Sequence, residues 1–171
     1  SRKFSFEGNG DYLKVYEKLR SLNPSPYLYH LKMGKKIVIG SSPEMLLRVT
    51  DDQVETFPIA GTRKISIDEA KNEQLRQELI NDEKELAEHT MLVDLGRNDI
   101  GKVCNYGTVH VNKLMEVKKF SHVQHMVTHV IGKLNKNYNM YDAFKAVFPA
   151  GTVSGAPKVR AMEIIDELEP E

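Results

Sequence analysis

Apolar positions along the chain come in short bursts whose spacing changes several times, and each change marks an element. From Asp11 to Leu22, Leu13, Tyr16, Leu19 and Arg20 fall at helical spacing, and Asn23-Pro24 ends the run. Tyr27 to Lys32 and Lys36 to Gly40 are apolar runs on either side of Met33-Gly34-Lys35, which predicts a hairpin. Met45 to Thr50, a turn at Asp51-Asp52 and Val54 to Phe57 predict a second. Ser66 with Glu69 has capping-box spacing, and Leu75, Leu79 and Ile80 supply an apolar stripe. Asp82 with Glu85 repeats the signal, so a further helix is expected to run toward Asn98, with Gly101 as its stop. Thr108 to Val117 alternates as a strand does.

Val123 to Leu134 is ambiguous. Val123, Met126, Val127, Val130, Ile131 and Leu134 fit a helical stripe, yet Val123, Val127, Thr128, Val130 and Ile131 are β-branched, which tips the segment to strand. Tyr141 to Phe148 reads as a short helix ended by Pro149. Pro157 opens a last one, carrying Val159, Met162, Ile165 and Leu168. Without repeats or linkers, the pattern predicts one continuous α+β unit of mostly antiparallel strands.

Composition adds exclusions. The 171 residues carry 24 basic and 24 acidic side chains, so there is no basic excess to draw the chain toward nucleic acid or anionic lipid. No apolar run approaches the roughly 20 residues needed to span a bilayer. The single Cys104 cannot form an internal disulfide, which suits a reducing, cytoplasmic setting, and packing is its ordinary role. Ser1-Arg2-Lys3-Phe4 lacks an initiator methionine, and Asp166 to Glu171 stop just past a helix. Residues 1–171 therefore read as one partial domain cut from a longer polypeptide.

Four segments could carry chemistry. In Pro58-Ile59-Ala60-Gly61-Thr62-Arg63 a strand runs into a bare glycine, with a hydroxyl and a planar guanidinium suited to carboxylates behind it. The plainer reading is a strand-ending turn. On a helix, Glu85 and Glu88 share a face and could offer oxygens to a divalent cation such as Mg²⁺, although neighbouring helix glutamates are usually a solvated surface. His122, His125 and His129 suggest zinc only if helical. As a strand the segment leaves His125 and His129 on one face, and a single histidine handling a proton is the better reading. Gly151-Thr152-Val153-Ser154-Gly155-Ala156-Pro157-Lys158 leads into a helix as an anion-binding loop or a plain connection, without phosphate-loop spacing. Together they point to a carboxylated small molecule held with a divalent cation, and leave the reaction open.

These segments, in this order, resemble the chorismate-utilising enzymes, and within them the large subunits of anthranilate synthases. The resemblance rests on six stretches: Asn23-Pro24-Ser25-Pro26-Tyr27, Gly40-Ser41-Ser42-Pro43-Glu44, Pro58 to Arg63, Glu85 to Asp99, Val123-Gln124-His125-Met126, and Gly151 to Lys158. It implies a large sandwich of antiparallel sheets with flanking helices. It also implies that Gly61, Thr62 and Thr152 bind chorismate, that Glu88 binds Mg²⁺ directly and Glu85 through water, that His125 lies beside the substrate ring, and that Glu44 acts as general acid. Asn23, Pro24, Pro26, Tyr27 and Leu28 resemble a stretch that binds tryptophan as feedback inhibitor; without the resemblance they read as a proline-stiffened strand start.

Where aminodeoxychorismate synthases carry a nucleophilic lysine, this sequence has Ala60, so the resemblance implies direct addition of ammonia, supplied by a glutamine amidotransferase subunit. Lys64-Ile65 replaces the usual Pro-Arg-Gly after Arg63. Isochorismate or salicylate synthases and a non-catalytic aromatic amino acid sensor stay open as alternatives. The resemblance places further metal carboxylates and a substrate-binding tyrosine and arginine beyond Glu171, and part of the tryptophan pocket before Ser1. The 171-residue stretch alone is therefore expected to make no anthranilate.

Overall fold

The structure, a computed structural model, describes residues 4–169; Ser1 to Lys3, Pro170 and Glu171, part of the reading of the two ends, lie outside the described residues. The chain divides into two compact units, 1–44 and 45–171.

In the first unit Asp11 caps helix α1 (Tyr12–Leu22) by accepting the Leu13 N–H at 2.9 Å. Strands β1 (Tyr27–Met33) and β2 (Lys36–Ser42) pair antiparallel, and Met33 opposite Lys36 leaves a two-residue loop whose Gly34 has φ of 60°. A positive φ at that point is what a tight hairpin turn requires and glycine supplies. The edge of Tyr16 meets His30 at 6.1 Å between ring centres, packing α1 on the hairpin. Ser41 Oγ donates to the Asn23 carbonyl at 2.9 Å, tying the strand end to the Asn23-Pro24 corner.

The second unit is organised by β7 (Val123–Lys133), at the centre of a five-stranded sheet. Strand β6 (His110–Lys119) pairs along one edge of it. The other edge is shared: β4 (Gln53–Thr56) pairs with residues 130–133 and β5 (Ile59–Lys64) with residues 123–127. The Thr128 N–H donates to the Pro58 carbonyl at 3.1 Å where the two meet. Strand β3 (Arg48–Thr50) completes the sheet against β4 through the Asp51-Asp52 turn; Met45 to Leu47 stay outside the strand. All pairings are antiparallel, as the α+β reading expected. The β-branched residues of β7 prevail over its helical stripe because every even-numbered residue from Gln124 to Gly132 is buried.

Helix α2 (Glu69–Ile80) starts two residues later than its capping-box signal suggests. Asp68 is the cap, accepting the Ala70 N–H at 2.9 Å, while Ser66 Oγ accepts from Asp68 N–H. The long α3 (Glu83–Gly101) is capped by Asp82, which accepts from the Lys84 and Glu85 N–H groups at 3.1 Å each. Helices α4 (Met140–Val147), α5 (Gly151–Ser154) and α6 (Lys158–Leu168) follow, with Pro157 the residue before α6 rather than its first. The core gathers Val54, Val93, Ile100, Cys104, Val130 and Val147 between sheet and helices. Burial pushes the Cys104 thiol up to about 11, which makes it a packing group rather than a nucleophile. Among the described residues no helix is long and apolar enough to cross a membrane.

Candidate functional site

The register between β5 and β7 shifts between Ala60 and Thr62, so Gly61 is the extra residue of a β-bulge, with φ of 73°. The bulge turns two oxygens toward His125, the register partner of Thr62. Thr62 Oγ1 lies 3.0 Å and the Gly61 carbonyl oxygen 3.2 Å from His125 Nδ1. A carbonyl can only accept, so Nδ1 carries the proton when the ring is neutral. Nε2 is then the acceptor nitrogen, and it makes no hydrogen bond among the described residues. Phe120 meets the His125 ring edge-on at 5.3 Å and holds its orientation.

Gly61 also faces the first turn of α3. A Cβ added there would stand 2.8 Å from Leu79 Cδ1 and 3.2 Å from Glu85 Oε2, so only glycine lets the bulge come this close. Arg63 closes the same gap: it donates to Glu85 Oε1 at 3.1 Å, to Asp82 Oδ2 at 2.9 Å and to the Thr62 carbonyl at 2.9 Å. The guanidinium suited to a ligand carboxylate is thus spent on Glu85 of α3 and on its cap, Asp82. Glu88, one turn further along the face of Glu85, is exposed and makes no hydrogen bond or ion pair among the described residues.

Gly61, Thr62, His125 and Glu85 are therefore brought together, with Glu88 a turn beyond. Thr152 is exposed on α5, which meets α3 further along: a Cβ on Gly151 would land 1.8 Å from Leu95 Cδ2. Leu95 lies two turns past Glu88, roughly 10 Å along the axis at 1.5 Å per residue. Asn23 to Leu28 and Glu44 belong to the first unit. There the Ser42 hydroxyl both accepts the Glu44 N–H and donates to the Glu44 carbonyl oxygen, at 3.2 and 3.1 Å, and burial raises the side-chain carboxyl above its ordinary 4.5.

The donor set suits a hard cation. Two carboxylates on one helical face match Mg²⁺, which takes one or two and keeps water elsewhere. Among the described residues no three histidine, cysteine, aspartate or glutamate side chains converge as a complete metal cage. The three histidines have separate partners: His122 Nδ1 the Ser121 hydroxyl, His125 the bulge, and His129 both Glu55 Oε1 at 2.9 Å and the Asn112 amide at 3.1 Å. His129 also stacks on Phe57 at 4.3 Å, so both nitrogens and one ring face are occupied.

Two features escaped the sequence reading. Asp82 and Arg63 pair across 19 residues, which no local pattern announces. His89, wholly buried one residue after Glu88, meets the Thr128 hydroxyl at 2.6 Å and fixes the rotation of α3 on β7. A polar residue among the buried positions of α3 was the available signal.

Fold and site together set a hydroxyl, an imidazole and a carboxylate close to one bulge of an α+β domain. The chain belongs to the family of chorismate binding enzymes, which it matches over residues 1–171. It is 60% identical over 160 residues to anthranilate synthase component 1 of Methanothermobacter thermautotrophicus, covering 94% of this chain and 34% of that protein. The crystal structure of anthranilate synthase component I from Streptococcus pneumoniae superposes with a TM-score of 0.87 at 47% identity, over 96% of this chain and 36% of the other. The menaquinone-specific isochorismate synthase of Escherichia coli gives 0.72 at 27%, over 84% and 33%. The chain thus spans about a third of the length of the curated relatives it matches.

Proposed function

We propose that this chain is part of the chorismate-binding component of an anthranilate synthase, a cytoplasmic enzyme of tryptophan biosynthesis. The complete enzyme converts chorismate and ammonia to anthranilate and pyruvate. The observation that carries the reading is the Gly61 bulge, which joins Thr62, His125 and the carboxylate-bearing face of α3 in one place. The higher identity and TM-score toward anthranilate synthase components than toward isochorismate synthase support ammonia over water as the nucleophile.

Chorismate would present a carboxylate and a ring to this corner. The Thr62 hydroxyl and the Gly61 backbone would line the ring pocket, His125 would offer Nε2 as hydrogen-bond partner or proton acceptor, and Thr152 would add a hydroxyl from α5. Glu88, with Glu85 behind it, would hold Mg²⁺. That ion, when bound, supplies charge withdrawal at the substrate carboxylate. Glu44 would serve as general acid, and burial raises its carboxyl, the direction that role asks for. Ala60 is buried and has no nucleophilic atom, so ammonia would add to the ring directly. A glutamine amidotransferase subunit would supply it, and tryptophan bound at Asn23, Pro24, Pro26, Tyr27 and Leu28 would inhibit.

The test is the full-length protein with chorismate, an ammonium salt and Mg²⁺, followed by anthranilate fluorescence and product chromatography. Anthranilate appearing only with ammonia is the expected result. Isochorismate or salicylate as product would move the reading to the water-using branch. Calorimetric binding of tryptophan without any of chorismate would replace it with a sensor.

A further inference from the structure

We infer that Arg63 is a positioning residue, clamping the Gly61-Thr62 bulge onto the first turn of α3 and so setting the Thr62–His125 pair against the carboxylates of that helix. Its consequence for turnover rests on the functional reading above; the clamp itself does not.

The argument begins with Thr62, which is held from two sides. Its hydroxyl meets His125 Nδ1 at 3.0 Å, and its main-chain carbonyl accepts from Arg63 at 2.9 Å. The same guanidinium reaches Glu85 and Asp82 with separate nitrogens. Asp82 divides its two oxygens, one capping α3 through the Lys84 and Glu85 N–H groups and the other meeting Arg63. The pairs are only partly open to water, with side-chain exposure of 22% for Arg63 and 24% for Glu85, so they are screened less than a surface pair. Gly61 has no side chain to hold bulge and helix apart, so the clamp can draw them into close contact.

The planar fork is essential to this geometry. It makes three hydrogen bonds in fixed directions, whereas a lysine ammonium is a single point on a flexible stem. The clamp also sorts the two glutamates: Glu85 shares Arg63 with Asp82, and Glu88 makes no ion pair among the described residues.

Arg63→Gln, Arg63→Lys and Asp82→Asn in the full-length protein test this, with histidine side chains labelled with ¹⁵N. Thr62→Val supplies the spectrum of a His125 that has lost the Thr62 hydroxyl and keeps only the Gly61 carbonyl. Arg63→Gln should move the His125 ring signals toward those of Thr62→Val. Turnover should fall by about 10- to 100-fold in kcat, the scale expected for a misplacement near 1 Å, with a smaller change in the chorismate KM. Arg63→Lys should recover little of either. Asp82→Asn keeps a good helix cap while removing one charged arm, so it gives the same readouts in a milder form even where Arg63→Gln does not fold. His125 signals at wild-type positions in these variants, or full kcat in Arg63→Lys, would overturn the proposal. If the wild-type protein makes no anthranilate, the functional reading fails, and the His125 spectrum still decides the clamp.

Discussion

At the scale of single residues, buried polar groups carry the sharpest consequences. Thr128 Oγ1 receives the Met115 N–H at 2.9 Å and meets His89 Nε2 at 2.6 Å, while His89 Nδ1 is buried with no hydrogen-bond partner. Thr128→Val keeps the shape and strands both neighbours, so it should cost on the order of 1–3 kcal/mol in denaturant unfolding, the desolvation penalty of an unpaired buried group. A protonated His89 would place a second N–H where nothing accepts it, and burial lowers its pKa below the ordinary 6.5. Its folded value being depressed, the stabilisation it allows is present above pH 6.5 and is lost as pH falls through the folded value. The melting temperature of the wild-type protein should therefore decline on acidification below neutrality, and His89→Gln should flatten that slope. An unchanged slope would remove His89 as its cause. The partner of His89 was not legible in the chain, because Thr128 lies 39 residues away and meets it only once α3 is laid across β7.

At the scale of elements, much was legible wherever the cause is local. Gly34 and the Asp51-Asp52 pair mark two-residue turns whose positive φ values, 60° at Gly34 and 53° at Asp51, follow from hairpin geometry. The strand character of β7 follows from side-chain branching. Helix α2 was misplaced at its start because Ser66 and Asp68 both make local bonds to backbone N–H groups, and spacing alone does not say which one caps. Gly61 was singled out for openness to a ligand, yet its neighbours are Leu79 and Glu85. The bulge that makes it indispensable is a property of two strands meeting. Gly61→Ala would have to hold φ near 73° and push Leu79 aside, so it should destabilise by about 1–3 kcal/mol, the usual range for a strained backbone. It should also shift the His125 ring signals. Wild-type stability in that variant would mean that the bulge relaxes freely.

At the scale of the whole second unit, the end of α3 is joined to the start of α6 by one nearly buried ion pair, Lys158 with Asp99, whose side chains are 12% and 6% exposed. Lys158 Nζ also donates to the Val147 carbonyl at 2.6 Å, so α4 is drawn into the same knot, and α5, which bears Thr152, lies between α4 and α6 in the chain. The two partners are unequal. Without Lys158, Asp99 still has Lys102 at 3.2 Å, whose side chain reaches solvent. Without Asp99, Lys158 keeps a single carbonyl and a charge with little access to water. Asp99→Leu should therefore cost about 3–5 kcal/mol, as expected for one half of a buried pair, and Lys158→Met distinctly less. Removing both charges should bring stability back toward the Lys158→Met value instead of summing the two losses. Unfolding of the three variants in denaturant measures this directly. Equal and additive losses would mean that the pair is hydrated and that packing alone holds α6 against α3.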